Sequence, residues 1–182
     1  MAGSSMRDIK RRIKSVNGIE HITSAMKLVS SAKLRKAKNI FEKSRRNFHY
    51  ITEAIEEVFY NTEDVPHLYL KGSRDIKRKV YIVVTSCRGL CGSFNSNVIK
   101  HTQKLIDEYH EEEPPLIVAV GSKGREHFAR RDYEIAGDYC LPPEDISFIE
   151  TQEIGRPLID MYNRGEIDEI VLVTTSFINS LE

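Results

Sequence analysis

Tryptophan is absent from this chain of 182 residues, and cysteine and proline are scarce, at three and six. Three cysteines, Cys87, Cys91 and Cys140, cannot staple a disulfide scaffold. No apolar run approaches the ~20 residues that a membrane-spanning helix needs. No apolar leader precedes the basic N-terminal stretch, so the chain is expected to be soluble and intracellular, able to sit beside a membrane as part of a complex. The six histidines, His21, His49 and His127 among them, form neither an HxxxH nor an HExxH pattern. No nucleophile, base and acid set can be named, so no motif makes a case for an enzyme, a cofactor or a metal site.

Glycine and proline are scarcest where it matters most. Gly18 is the only glycine between Met6 and Tyr60, and the first proline is Pro66. Across that stretch apolar residues recur at Ile9, Ile13, Val16, Ile19, Ile22, Met26 and Val29, then at Ala32, Ala37, Ile40, Phe48, Ile51, Ile55 and Val58. Steps of three and four are the period of a helix, close to the heptad value. At about 1.5 Å per residue such a helix would be ~80 Å long, roughly twice the width of a compact domain of this size. The expectation is a helix that projects and carries a seam in need of a partner. Met1–Ser5 and Leu181-Glu182 read as a cloning leader and a tag scar.

A formal net charge of zero hides a division. Residues 1–50 hold 13 Lys or Arg against 3 Asp or Glu, whereas the rest holds 14 against 24, leaving balances of +10 and −10. Segregation of this kind suggests that the helix faces something negative, protein or nucleic acid. A solvated charged face is the plainer alternative.

Beyond Tyr60 the pattern changes. Residues 61–79 read as a linker, and residues 80–180 as an α/β domain. Val80–Thr85, Leu116–Val120 and Glu169–Thr175 are short β-branched runs of the buried parallel type. Helices are expected over Asn97–His110, capped by Asn95 or Ser96, over a stretch following Gly121 with Phe128 inward, and over Ile146–Arg164 with Ile149, Ile154, Leu158, Ile159 and Tyr162 inward. Pro157 should kink the last of these or mark its first turn. Glu111–Pro115 should break the chain, and Tyr133–Pro143 is ambiguous, with room for a third strand. The fold class is therefore α/β: a long projecting N-terminal helix, half of a coiled coil, beside a small Rossmann-like domain with a mostly parallel sheet.

Gly89, Leu90, Cys91 and Gly92 sit between a strand and a helix, where phosphate loops occur. The spacing matches neither GxxxxGK[ST] nor GxGxxG, and Gly121–Gly124 matches neither. Both read as structural turns. Cys87 and Cys91 could form a redox pair, although incidental cysteines are the simpler reading, and Cys140 stands alone in the sequence. The helix admits three readings: a coiled-coil strand inside an assembly, a nucleic-acid-binding adaptor's basic helix, and a membrane-surface helix, which its length and the weakened apolar stripe over Lys33–Arg46 fit poorly; an α/β enzyme with a docking helix is a further alternative. The heptad-like seam favours the first, because a nucleic-acid groove takes only a short helical segment.

Two quoted stretches carry a resemblance. Ile9-Lys-Arg-Arg-Ile-Lys-Ser-Val, continuing through Ile22-Thr-Ser-Ala-Met-Lys-Leu-Val-Ser-Ser-Ala-Lys33, resembles the opening of the gamma subunit of the F-type ATP synthase, in its bacterial form. Thr85-Ser-Cys-Arg-Gly-Leu-Cys-Gly-Ser-Phe-Asn95 is similar to the family's second marker, with Cys87 where an Asp is usual, and Leu172–Asn179 is more weakly similar to a later strand. The resemblance implies a non-catalytic rotor with no cofactor, coupling ion flow to ATP synthesis. It implies as partners the alpha and beta subunits, the epsilon subunit and the membrane c-ring, but neither nucleic acid nor direct insertion into the bilayer. It places the complex on the cytoplasmic side of the membrane. It also implies that Ile9, Arg12, Ile13, Ile19, Ile22, Met26, Lys27 and Lys33 contact partners, Met26 and Lys27 facing an acidic lever loop of beta. The family's C-terminal coiled-coil helix is expected to be absent from this sequence, which leaves the seam of the N-terminal helix uncovered.

Overall fold

The computed structural model describes residues 2–61, 76–109, 113–142 and 146–178. The chain divides into two units, Met1–Val65 and Pro66–Glu182. Most of the expected linker, part of the Glu111–Pro115 break, Pro143 and the tag-like end lie outside the described residues.

The first unit is built on one helix, α1 (Ala2–Asn61), of 60 residues and therefore ~90 Å long at the usual rise. It begins before Met6, inside the stretch read as a leader. No proline interrupts it, and its threonines are accommodated by bonding back to the preceding turn. Thr23 Oγ1 donates to the Ile19 carbonyl at 3.0 Å and Thr52 Oγ1 to that of Phe48 at 2.9 Å. At the C-terminal end Asn61 Nδ2 donates to the Glu57 carbonyl at 2.8 Å. The first turn carries no acidic residue and the last no basic one. Neither end of the macrodipole is compensated, so the helix depends on what lies along its side.

The second unit runs β1 (Lys79–Val84), α2 (Phe94–Glu108), β2 (Leu116–Val120), α3 (Ser122–Ala129), β3 (Glu134–Tyr139), α4 (Phe148–Arg164) and β4 (Glu169–Val173). The four strands are parallel in the order β3-β2-β1-β4. Strand β1 lies inside the sheet, with Val80 beside Leu116 on one side and Ile170 on the other. Period-two alternation divides the core. Tyr81, Val83 and Ile117 face α2 and α3, meeting Val98 and Phe128; Val80, Leu116 and Val118 face α4, meeting Leu158. Each such side chain contributes about 1.5–3 kcal/mol when buried.

The N-terminal edge of the sheet is held by charge. Lys79, opposite Glu169 in the register, reaches its carboxylate at 2.6 Å and lies over the Tyr109 ring. The Lys79 side chain is only 5% exposed, so this pairing offsets a large desolvation cost.

The ambiguous stretch holds the third strand for which it had room, β3 at the sheet edge. Several other expectations need correction. Helix α2 starts at Phe94, with Ser93 rather than Asn95 or Ser96 at its N-cap. In α4, Ile149 and Ile159 are exposed rather than inward, because one helical stripe meets the sheet and Ile154, Leu158, Met161 and Tyr162 fill it. Pro157 is well inside α4, whose N-cap is Ser147 in a reciprocal capping box with Glu150. A proline leaves the carbonyl four residues back without its helical partner. Here that carbonyl, of Glu153, accepts a bond from Tyr139 Oη at 3.3 Å, so β3 completes what α4 lacks.

Where β2 turns into α3, Gly121 adopts φ +91°, and a Cβ there would stand 2.0 Å from the Thr85 carbonyl oxygen. We expect Gly121→Ala to lower the unfolding free energy by about 2 kcal/mol or more, from backbone strain and the clash together. Chemical denaturation of the two proteins checks this, and a change under about 0.5 kcal/mol, the range of an ordinary surface substitution, would contradict the assignment.

Candidate partner-binding surfaces

On α1 every residue from Ser5 to Asn61 except Thr52 is exposed. Ile9, Ile13, Val16, Ile19, Ile22 and Met26 form the seam, each between 46% and 62% exposed. The spacing puts them along one stripe. Steps of three from Ile13 through Val16 and Ile19 to Ile22 turn the stripe about the axis, so a partner following it must wind with it. Covering the exposed halves of these six side chains would be worth roughly 5 kcal/mol or more. Arg12, seven residues before Ile19, shares the stripe's face; Arg12 and Lys27 make no ion pair among the described residues, and Lys33 is exposed further along. All eight partner-contacting residues expected from the sequence therefore lie open on one helix.

The second surface is the turn from β1 to α2. Thr85 closes β1 in complete burial: its backbone N–H donates to the Val120 carbonyl at 2.8 Å, and its Oγ1 accepts from Gly124 N at 2.8 Å. The chain then leaves the sheet and is pinned by Asn95. Asn95 Oδ1 accepts from Ser86 N at 2.9 Å, and its Nδ2 donates to Ser86 Oγ at 2.8 Å and Cys91 Sγ at 3.1 Å. From α3, Ser122 Oγ donates to the Cys87 carbonyl at 3.1 Å. With its base fixed from both helices, the tip Gly89, Leu90, Cys91 and Gly92 is exposed. Leu90 has φ 63° and is 93% exposed. Leu90 is thus an apolar side chain without packing, held on a backbone conformation that disfavours it.

Sequence reading took Asn95 for a helix cap and missed its role as the pin; an Asn just past a glycine turn was the available signal. It also left Cys140 alone, whereas Cys87 Sγ donates to the Cys140 carbonyl at 3.3 Å across the ends of β1 and β3. The Cys140 thiol is held above its usual pKa, first by its hydrogen bond to Asp138, then by burial and the Asp138 charge. Among the described residues no group of three or more His, Cys, Asp or Glu could hold a metal ion, and no helix is long and apolar enough to cross a membrane.

Comparison with known proteins gives a consistent result. A family model described as ATP synthase matches residues 5–182. The chain is 41% identical over 179 residues to an ATP synthase gamma chain of Alkaliphilus metalliredigens, covering 98% of this chain and 61% of that protein. It is 40% identical to an ATP synthase gamma chain of Desulforamulus reducens, covering 98% of this chain and 62% of the relative. Against a gamma chain of Acetobacterium woodii described as sodium ion specific the identity is 35%, over 97% of this chain and 57% of the relative. The chain thus spans about three-fifths of the length of the curated relatives it matches.

Two outcomes are expected. In isolation the open seam drives self-association, so sedimentation equilibrium should give a mass above that of the monomer. A strictly monomeric profile with full helicity over Met6–Tyr60 would count against it. Leu90→Gly relieves the positive-φ strain and should raise stability by up to about 1 kcal/mol in chemical denaturation; a loss of stability would remove the strain assigned to the tip.

Proposed function

The chain belongs to the ATP synthase gamma-chain family, and from that premise we propose that it is the central-stalk rotor of an F-type ATP synthase. Helix α1 is one strand of a coiled coil that turns inside a ring of alpha and beta subunits. The α/β unit serves the foot of the stalk, against the epsilon subunit and the membrane c-ring. The subunit couples ion flow to ATP synthesis or hydrolysis, has no catalytic site of its own, and is held at the cytoplasmic side of the membrane through the complex rather than by insertion. The single observation that carries this reading is α1: 60 uninterrupted helical residues whose apolar stripe is exposed from end to end.

The mechanism follows from stiffness, asymmetry and charge. A shaft that drives conformational change must not bend under load, and the helix has neither proline nor a glycine cluster at which to hinge. Ile9, Ile13, Ile19, Ile22 and Met26 pack against a second long helix, knobs into holes. Arg12 and Lys33 share a heptad position with Ile19 and Met26, and with Lys27 they attract acidic loops of the ring as the shaft turns. Such contacts act at the surface, so they steer and time the interaction more than they tighten it. The seam residues 6–60, the linker 61–79 and the α/β unit 80–180 are on this reading the shaft, its joint and its base. The exposed Leu90 tip is a contact of that base with a neighbouring subunit.

The test mixes the full chain with purified alpha and beta subunits and reads assembly by size-exclusion chromatography. Co-elution is expected. Ile13→Asp together with Ile22→Asp should weaken assembly at least about tenfold, since a charged group would enter an apolar seam. Failure of the unmodified chain to co-elute, or indifference to the double substitution, would overturn the reading.

A further inference from the structure

Helices α2 and α3 leave between them a surface groove of about 380 Å³ that begins beside Asn95 and Ser96 at the start of α2 and runs away from the Leu90 tip. Its floor includes Ile99, half-buried against the core, and the ring of His127. Lys100 on α2, Lys123 on α3, and Arg130 and Arg131 just beyond α3 surround it. Glu126 is the one carboxylate of the lining, already engaged by Lys123 at 3.2 Å and Arg130 at 3.8 Å. Four cations thus face one anion. The contrast with the surroundings is marked, because residues 66–182 carry 14 basic and 19 acidic side chains. A basic island on an acidic unit is not explained by solubility.

His127 reports the state of the groove. Arg131 Nη1 lies 3.2 Å from His127 Nδ1, a contact that needs a neutral imidazole, because an imidazolium has no acceptor. Burial holds its pKa below the ordinary value, and the charges of Arg131 and Arg130 hold it lower still. An acidic group placed in the groove would reverse the electrostatic part of that shift.

We propose that the groove between α2 and α3 docks an acidic, amphipathic segment of a partner protein. The groove is open, Ile99 and the stems of its cations give it apolar surface, and the charged ends stand at its rim; the Arg130 side chain is 78% exposed. These features suit a segment that lays apolar side chains on Ile99 and directs carboxylates to the rim. A phosphate site would instead gather backbone N–H groups into a tight cradle. The groove shares no residue with α1, so this proposal and the rotor reading fail separately.

The experiment uses the full 182-residue chain, labelled with 15N at histidine, and a synthetic helical peptide with leucine on one face and glutamate on the other. His127 resonances should shift saturably, its titration midpoint should rise, and added salt should weaken both effects. Lys100→Gln with Arg130→Gln should weaken the His127 response by about tenfold, typical of losing charge complementarity at an interface. Both side chains are exposed, and an unchanged circular dichroism spectrum shows that the fold is kept. His21 and His49 report binding to α1 independently. A response at those two alone would overturn the proposal, as would an unaltered response in the double variant. So would inorganic tripolyphosphate that reproduces the His127 shift with equal or greater affinity.

Discussion

A helix can satisfy its own backbone but not its own apolar stripe. That constraint governs the first third of this protein. Sixty residues of helix present isoleucine, valine and methionine at three- and four-residue steps, and none of those side chains is buried. Uncompensated ends add nothing to its stability, so the stripe supplies what propensity does not. Such a stripe leaves apolar surface that a second helix can cover, which is what the proposed coiled coil supplies.

The α/β unit solves the opposite problem. Its sheet is covered on both faces, and the energetic weight rests on β1, which pairs with β2 and β4 and contributes to both core clusters. Fixing β1 fixes where it ends, and hence where the Leu90 tip leaves the sheet. Thr85, Gly121 and Asn95 then set the turn with backbone and side-chain bonds. The tip can hold an unfavourable conformation because the framework beneath it is over-determined. The same packing of α2 and α3 on one sheet face makes the basic groove, whose residues lie far apart in the chain.

Much of this was legible in the residues. Long periodicity without breakers identified α1, and β-branched runs bounded by glycine and charge identified β1, β2 and β4. The glycine turn after β1 was found, and the Thr85–Asn95 motif that contains it, together with the Ile9–Lys33 stretch, pointed to the family. Less was legible where a contact crosses the fold. The inward residues of α4 were overcounted because periodicity gives the stripe but not the width of the surface it meets. Pro157 read as a kink or a first turn because Tyr139, which satisfies the freed Glu153 carbonyl, belongs to an edge strand that sequence left ambiguous.

Local spacing, by itself, determined the long helix, its apolar seam, the strand runs and the separation of charge. Those properties depend on neighbours three, four or two residues apart, which a linear sequence displays directly. Tertiary structure alone decided that Cys87 meets Cys140, that Gly121 must lack a side chain, that Asn95 pins a turn, and that Lys100 and Arg130 face one groove. Each of those depends on distances between elements, which arise only when strands take their register and helices close over the sheet.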